Sequence, residues 1–522
     1  MRKLATLAVT AVTAAGTLAV AAPADAAAEP GWLSANWLVH SGTTKLDTVI
    51  KGAGADKADT ANPDDGVAPT GVALTGAGVG VALIDSGVSP VKCLDGAGKV
   101  INGPDLSFES QVPNLRNLDT FGHGTHMAGI IAGQDPAGAA GTRFAGVAPG
   151  AHIVNVKVAT ADGAGDVSQI IAGVDWVITH RNDPGLNIRV LNLSYGTQSA
   201  QSATLDPLAY AVEKAWQAGI VVVVAAGNDG FTANRLTMPA VDPDVIAVGA
   251  TDSRGTDTRT DDVVADFSNR GNAARHADVL AGGRSIVSLR SPGSYIDQTY
   301  PAARLSLADD PDQRFLRGSG TSQAAAVVSG SVALLLQQRP GLRPDDVKKL
   351  LMSTATPIVG GDAYAAGAGQ INVAAAARGK TSNSTQVNTA ATGLGSLEAA
   401  RGGAYVYDSV TGAPLTGERD IFGTAWNPQA WTAATTAKRS WVGGTWNGTV
   451  WTGAAWGTTL AGARTWTPVL WTGRSFSGAL WTGRSWSSAT WSGRSWSSQT
   501  WTGRSWSGRS WSAAGWTTEP WH

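Results

Sequence analysis

Asp85 closes the apolar run VGVALI, His123 lies between two glycines in GHGTHMAGI, and Ser322 opens the small-residue run SQAAA. A carboxylate, an imidazole and a hydroxyl form a proton-transfer set if folding brings them together. The hydroxyl attacks a carbonyl, the imidazole takes its proton, and the carboxylate holds the imidazole's tautomer. Each residue also has a plainer reading. Asp85 before Ser86 and Gly87 suits a turn, and Ser322 suits a helix N-cap. His123 and His126 are spaced as a metal pair could be, but no third ligand stands at a zinc spacing, so no metal site is expected. The N-cap reading does not explain the glycines and alanines around Ser322, which would let a substrate carbonyl approach closely.

Between about residue 78 and residue 378, β-branched runs alternate with helical periodicity. VGVALI (79–84), HIVNVKV (152–158), IRVLNLS (188–194) and IVVVVAA (220–226) read as buried strands. Asp166 can cap a helix over VSQIIAGVDWVITH, and LAYAVEKAWQAG stops at Gly219. SQAAAVVSGSVALLLQQ (322–338) is apolar nearly all round, as a helix buried inside a domain must be, and Pro344 suits the first turn of the next one. Alternating strands and helices with continuous apolar strands predict an α/β fold with a parallel central sheet covered on both faces. Ligands bind beyond the carboxyl ends of such strands, and Asp85 stands at one of them.

VALIDSG, GHGTHMAGI and GTSQAAA, in this order, resemble the three catalytic signatures of the subtilisin-like serine proteases, the subtilase family. The resemblance runs from about residue 72 to residue 376 and includes FAGVAPGAHIVNVKV, VLNLSYG, VVVVAAGNDG and VIAVGA. It implies a three-layer α/β peptidase acting on proteins or peptides through an acyl-enzyme, with no cofactor for catalysis. Matched position by position, Asp85 is the orienting carboxylate, His123 the general base and acid, and Ser322 the nucleophile. Asn228 matches the oxyanion-hole side chain, and Ser194, Tyr195 and Gly196 match the substrate-binding strand. His126 matches a second histidine of the motif, a packed or hydrogen-bonded helix residue that is not a proton carrier. Structural calcium held by loop oxygens is also implied, with no ligands assigned. Three departures stand out: Ala326 where the family commonly has proline, Tyr195 where it usually has an aliphatic residue, and an N-terminal stretch short for a folded propeptide. Tyr195 is expected to narrow or reshape the pocket for the side chain before the cut.

Arg2 and Lys3, the nearly uncharged run Leu4 to Ala22 and the small-x-small site Ala24-Asp25-Ala26 read as a signal peptide over 1–26. The mature protein is therefore expected to be secreted, with no transmembrane segment after cleavage. Residues 27–71 form a lead-in, 72–378 the peptidase domain, 379–420 a Ser/Thr/Gly/Ala-rich linker, and 421–522 a tryptophan-rich repeat. Lys plus Arg (39) nearly equals Asp plus Glu (40), so charge selects no partner class. With one cysteine, Cys93, no intrachain disulfide can form, and the thiol is expected to be buried.

From Trp426 to Trp521 a five-residue register has twenty slots, of which seventeen hold Trp and one holds Phe476. Consecutive slots cannot share a helix face, whereas an offset of ten restores the face of a strand, so the repeat predicts β structure. Arg474, Arg484, Arg494 and Arg504 recur with it. A basic, aromatic repeat could hold a cell-wall polymer or polysaccharide, and export makes nucleic acid the weaker partner. Two readings compete with a peptidase. One is a non-catalytic surface-binding protein that uses the tail and keeps the rest as scaffold; the other is an acyl transferase to amines.

Overall fold

The valine-rich runs form the middle of a twisted sheet. The computed structural model describes residues 43–60, 72–111, 113–136, 144–307, 310–381, 383–408 and 413–451, with short strands at 471–472, 480–484, 490–494 and 500–502. Eight strands make the main sheet: β1 (Gly80–Asp85), β2 (Val100–Asp105), β3 (His152–Lys157), β4 (Ile188–Leu193), β5 (Val221–Ala225), β6 (Ile246–Asp252), β7 (Val263–Val264) and β8 (Val279–Gly282). Their order is β2-β3-β1-β4-β5-β6-β7, with β8 also on β6. Every pairing is parallel except β6 with β7. All six residues of β1 and all five of β5 are buried, which is why these strands read as unbroken apolar runs. The four strands expected from the sequence are β1, β3, β4 and β5.

The helices as far as Ser353 are α1 (Leu46–Gly52), α2 (His123–Ala132), α3 (Val167–His180), α4 (Pro207–Gln217), α5 (Tyr295–Thr299), α6 (Thr321–Gln338) and α7 (Pro344–Ser353), and four more follow among the described residues. α2 and α6 pack on one face of the sheet, α3 and α4 on the other, which gives the three layers expected. Asp166 caps α3 in a capping box: its carboxylate accepts from Ser168 N–H at 3.0 Å, while Gln169 reaches back to Asp166 N–H at 2.7 Å. α6 is buried from Thr321 to Leu336, as its uniformly apolar composition requires. Each fully buried Val or Leu there contributes about 1.5–3 kcal/mol relative to exposure. Ahead of α6, β9 (Ile286–Leu289) and β10 (Phe315–Gly318) pair antiparallel. Cys93 is buried as expected, its Sγ 3.1 Å from Asp135 Oδ1, and burial raises its thiol far above the ordinary range.

The described part of residues 379–420, a linker by composition, is tied to the peptidase layers. Ser384 N–H donates to Asp346, Ala391 N–H to Glu213 and Gly395 N–H to the Leu205 carbonyl. The first filled slots of the repeat, Trp426, Trp431, Trp441, Trp446 and Trp451, are all buried. Trp431 and Trp446 each donate an indole N–H to Asp175 Oδ2 at 2.8 Å, and Trp441 donates to the Ala172 carbonyl at 2.6 Å. These tryptophans also pack on one another, with centroids 5.0 Å apart for Trp426–Trp431 and 5.9 Å for Trp441–Trp451. Further on, Leu480–Arg484, Thr490–Arg494 and Thr500–Thr502 run parallel, with Trp481 in register with Trp491 and Trp491 with Trp501. The ten-residue β period expected from the sequence is the period of these strands. The signal-peptide reading falls outside the described residues, among which no helix is long and apolar enough to cross a membrane.

Candidate active site

β1 lies between β3 and β4, where the chain's winding reverses direction, and Asp85 is its last residue. That reversal opens a crevice at the carboxyl edge of the sheet. His123 is the first residue of α2, and its Nδ1 lies 2.8 and 2.9 Å from Asp85 Oδ1 and Oδ2. Both side chains are buried. A carboxylate on Nδ1 fixes the proton there and leaves Nε2 as the atom that can accept another. Asp85 is itself held by Ser86 N–H at 2.8 Å.

Asp119 was missed in the sequence, and it shapes the approach to His123. It accepts the Ser86 hydroxyl at 2.8 Å, Gly122 N–H at 2.6 Å and Thr125 N–H at 2.7 Å. Burial raises its carboxyl above the ordinary range, even with those donors on it. The only signal available was an acid four residues before His123, a pattern too common to single out. A Cβ on Gly124 would lie 2.1 Å from the Gly87 carbonyl oxygen, so the glycine lets α2 start directly against the loop after Asp85. Beneath this loop the buried ammonium of Lys157 reaches Glu109 at 2.5 Å and also binds the Leu118 carbonyl. His126 faces inward, its Nε2–H donating to the Leu316 carbonyl at 3.2 Å. Burial, with His123 second, pushes His126 down to about 3, so near neutral pH it stays neutral and takes up no second ring proton.

Ser322 lies in the first turn of α6, next to α2, where backbone N–H groups have no partner within the helix. Asn228 follows β5, and its Oδ1 accepts Thr321 N–H at 2.8 Å and the Thr321 hydroxyl at 3.0 Å. With the oxygen so held, the Nδ2 amide is the free donating end. Ser194 follows β4, and its hydroxyl is 3.4 Å from the Ser322 carbonyl oxygen. Gly196 passes close to Thr237, whose Oγ1 would be 2.4 Å from a Cβ there. Tyr195 is buried. Its hydroxyl is pushed well up by burial and by the fields of Asp166 and Asp206, with Arg401 opposing.

An imidazole oriented by a buried carboxylate at a sheet's carboxyl edge is the means by which serine hydrolases draw a proton from a hydroxyl. Comparison with known proteins narrows that class. The model of the subtilase family matches residues 76–396. Serine protease AprX of Bacillus subtilis is 38% identical over 323 residues, 61% of this chain and 70% of AprX. Subtilisin DY of Bacillus licheniformis is 36% identical over 309 residues, 58% of this chain and 92% of that protein. Subtilisin E of Bacillus subtilis is 35% identical over 311 residues, 58% of this chain and 67% of that one. The chain belongs to the subtilase family, and it is a subtilisin-like serine endopeptidase with protein or peptide substrates.

Proposed function

We propose that the chain cleaves peptide bonds through Asp85, His123 and Ser322 by way of an acyl-enzyme. Ser322 Oγ attacks the scissile carbonyl and passes its proton to His123 Nε2, while Asp85 stabilises the imidazolium through Nδ1–H. Ser322 N–H and Asn228 Nδ2 bind the developing oxyanion. His123 then gives its proton to the leaving amine, and water repeats the sequence on the ester. Ser194, Tyr195 and Gly196 bind the substrate as an added strand through their backbone. The observation that carries this reading is the paired contact of His123 Nδ1 with both oxygens of buried Asp85. Export, suggested by the charged start and the apolar run, completes it, and the arginine-bearing repeats beyond Trp451 are assigned to an anionic surface polymer.

The test is labelling of the folded chain with a fluorophosphonate, followed by peptide mass mapping beside a Ser322→Ala control. An adduct on Ser322 alone is expected. A folded, processed chain that takes no label overturns the triad and favours the surface-binding reading.

A further inference from the structure

Outside the catalytic crevice, Glu213 of α4 and Asp242 and Asp244 of the loop before β6 place one carboxylate oxygen each within 4.8 Å of the other two. Each carboxylate has one oxygen tied by a neutral amide. Glu213 Oε1 accepts Ala391 N–H at 2.7 Å, Asp242 Oδ1 accepts Asp244 N–H at 2.8 Å, and Asp244 Oδ1 accepts Asn388 Nδ2 at 2.7 Å. Glu213 Oε2 and Asp242 Oδ2 receive no donor, although both side chains are more than nine-tenths buried, and the two carboxyls lie within hydrogen-bond reach of each other. Two buried carboxylate oxygens without donors cost several kcal/mol unless a cation or a proton joins them.

The neighbouring cations are already committed. Arg275 donates to the carbonyls of Ala240 and Asp242 and forms a double contact with Asp278 at 2.7 and 2.9 Å. Lys348 binds the carbonyls of Pro243 and Val245 and lies 3.4 Å from Asp278. Lys214 turns outward to Gln217. Three carboxylates therefore share a partly buried corner with no side-chain cation directed at them.

We infer that Glu213, Asp242 and Asp244 form a binding site for a hard divalent cation of calcium size. Calcium holds oxygens at about 2.3–2.6 Å, so ligands of one ion lie no more than about 5.2 Å apart, and three oxygens all within 4.8 Å of one another can share one. Asp244 is only partly buried and gives the ion its way in from solvent. Two of the three orienting amides, Asn388 Nδ2 and Ala391 N–H, belong to the segment after the peptidase core, so a bound ion clamps that segment onto α4 and the loop before β6. The competing occupant is a proton shared by Glu213 and Asp242.

The test is isothermal titration of calcium chloride into the full chain carrying Ser322→Ala, which prevents self-digestion. Asp244→Asn and Glu213→Gln are each added to that background. The inference expects each variant to bind one calcium fewer per chain and to lose part of the calcium-induced rise in thermal midpoint. Asp244→Asn is the variant expected to fold normally, since it is partly exposed and keeps the oxygen that Asn388 uses. Equal midpoints in EDTA establish that it does. Unchanged stoichiometry in both variants, or no calcium bound by the parent, overturns the site and assigns the corner to a shared proton.

Discussion

Arg401 and Asp166 form an ion pair with no solvent on either partner, Nε to Oδ2 at 2.6 Å. Asp166 is also the N-cap of α3, so the pair joins the segment after the peptidase core to a helix that covers the sheet. The guanidinium is further held by Glu398 and the Gly417 carbonyl. The segment is thus bound into the fold at the point where composition suggests free chain.

Arg401→Met should therefore cost about 3–5 kcal/mol, because it leaves a buried carboxylate without its counter-charge. Urea denaturation in a Ser322→Ala background measures it. Adding Asp166→Asn should recover part of the loss, since no charge is then stranded. A single variant as stable as the parent would show that Asp166 finds other partners.

Asn228→Ala should lower kcat by about 10²–10³ with little change in KM, a magnitude known from subtilisin itself. The amide acts on charge that develops only in the transition state, so ground-state binding is spared. A chromogenic peptide amide provides the readout. If kcat stays at the parental level, Asn228 serves only to hold Thr321.

Asp175 gives stability a pH dependence of defined sign. Burial raises its carboxyl from 3.8 to about 6, despite donors from Trp446, Trp431 and Thr435. The folded chain therefore binds this proton more tightly than the unfolded one. The resulting stability is full below 3.8 and is lost as pH rises through about 6. Asp175→Asn cannot titrate, so its thermal midpoint should fall less than the parent's over that window. Asp262 and Asp420, also raised to about 6, are present in both chains and cancel in the difference. Parallel curves for the two chains would sink the assignment.

The legible part of this protein is local. VGVALI and IVVVVAA announce buried strands because both faces of a covered parallel sheet are apolar, and SQAAAVVSGSVALLLQQ announces a buried helix for the same reason. Asp85, His123 and Ser322 are visible because each sits in a short motif whose glycines and small residues make way for a substrate. Asp119 was not visible. Its three donors come from loops and a helix start, and only the folded loop shows that one acid collects them.

The sequence by itself determined the four central strands β1, β3, β4 and β5, the main helices and the family, because period and motif act over a few neighbouring residues. The tertiary structure decided that Tyr195 is buried, that the described part of residues 379–420 is bound down, and that Trp431 and Trp446 share one buried carboxylate on α3. It alone brought Glu213 to Asp242 and Asp244. The physical reason is common to all four. A tyrosine, a polar stretch, a tryptophan repeat or a helix glutamate keeps the same local pattern whether exposed or buried, and only packing across long separations in the chain removes the water and fixes the partners.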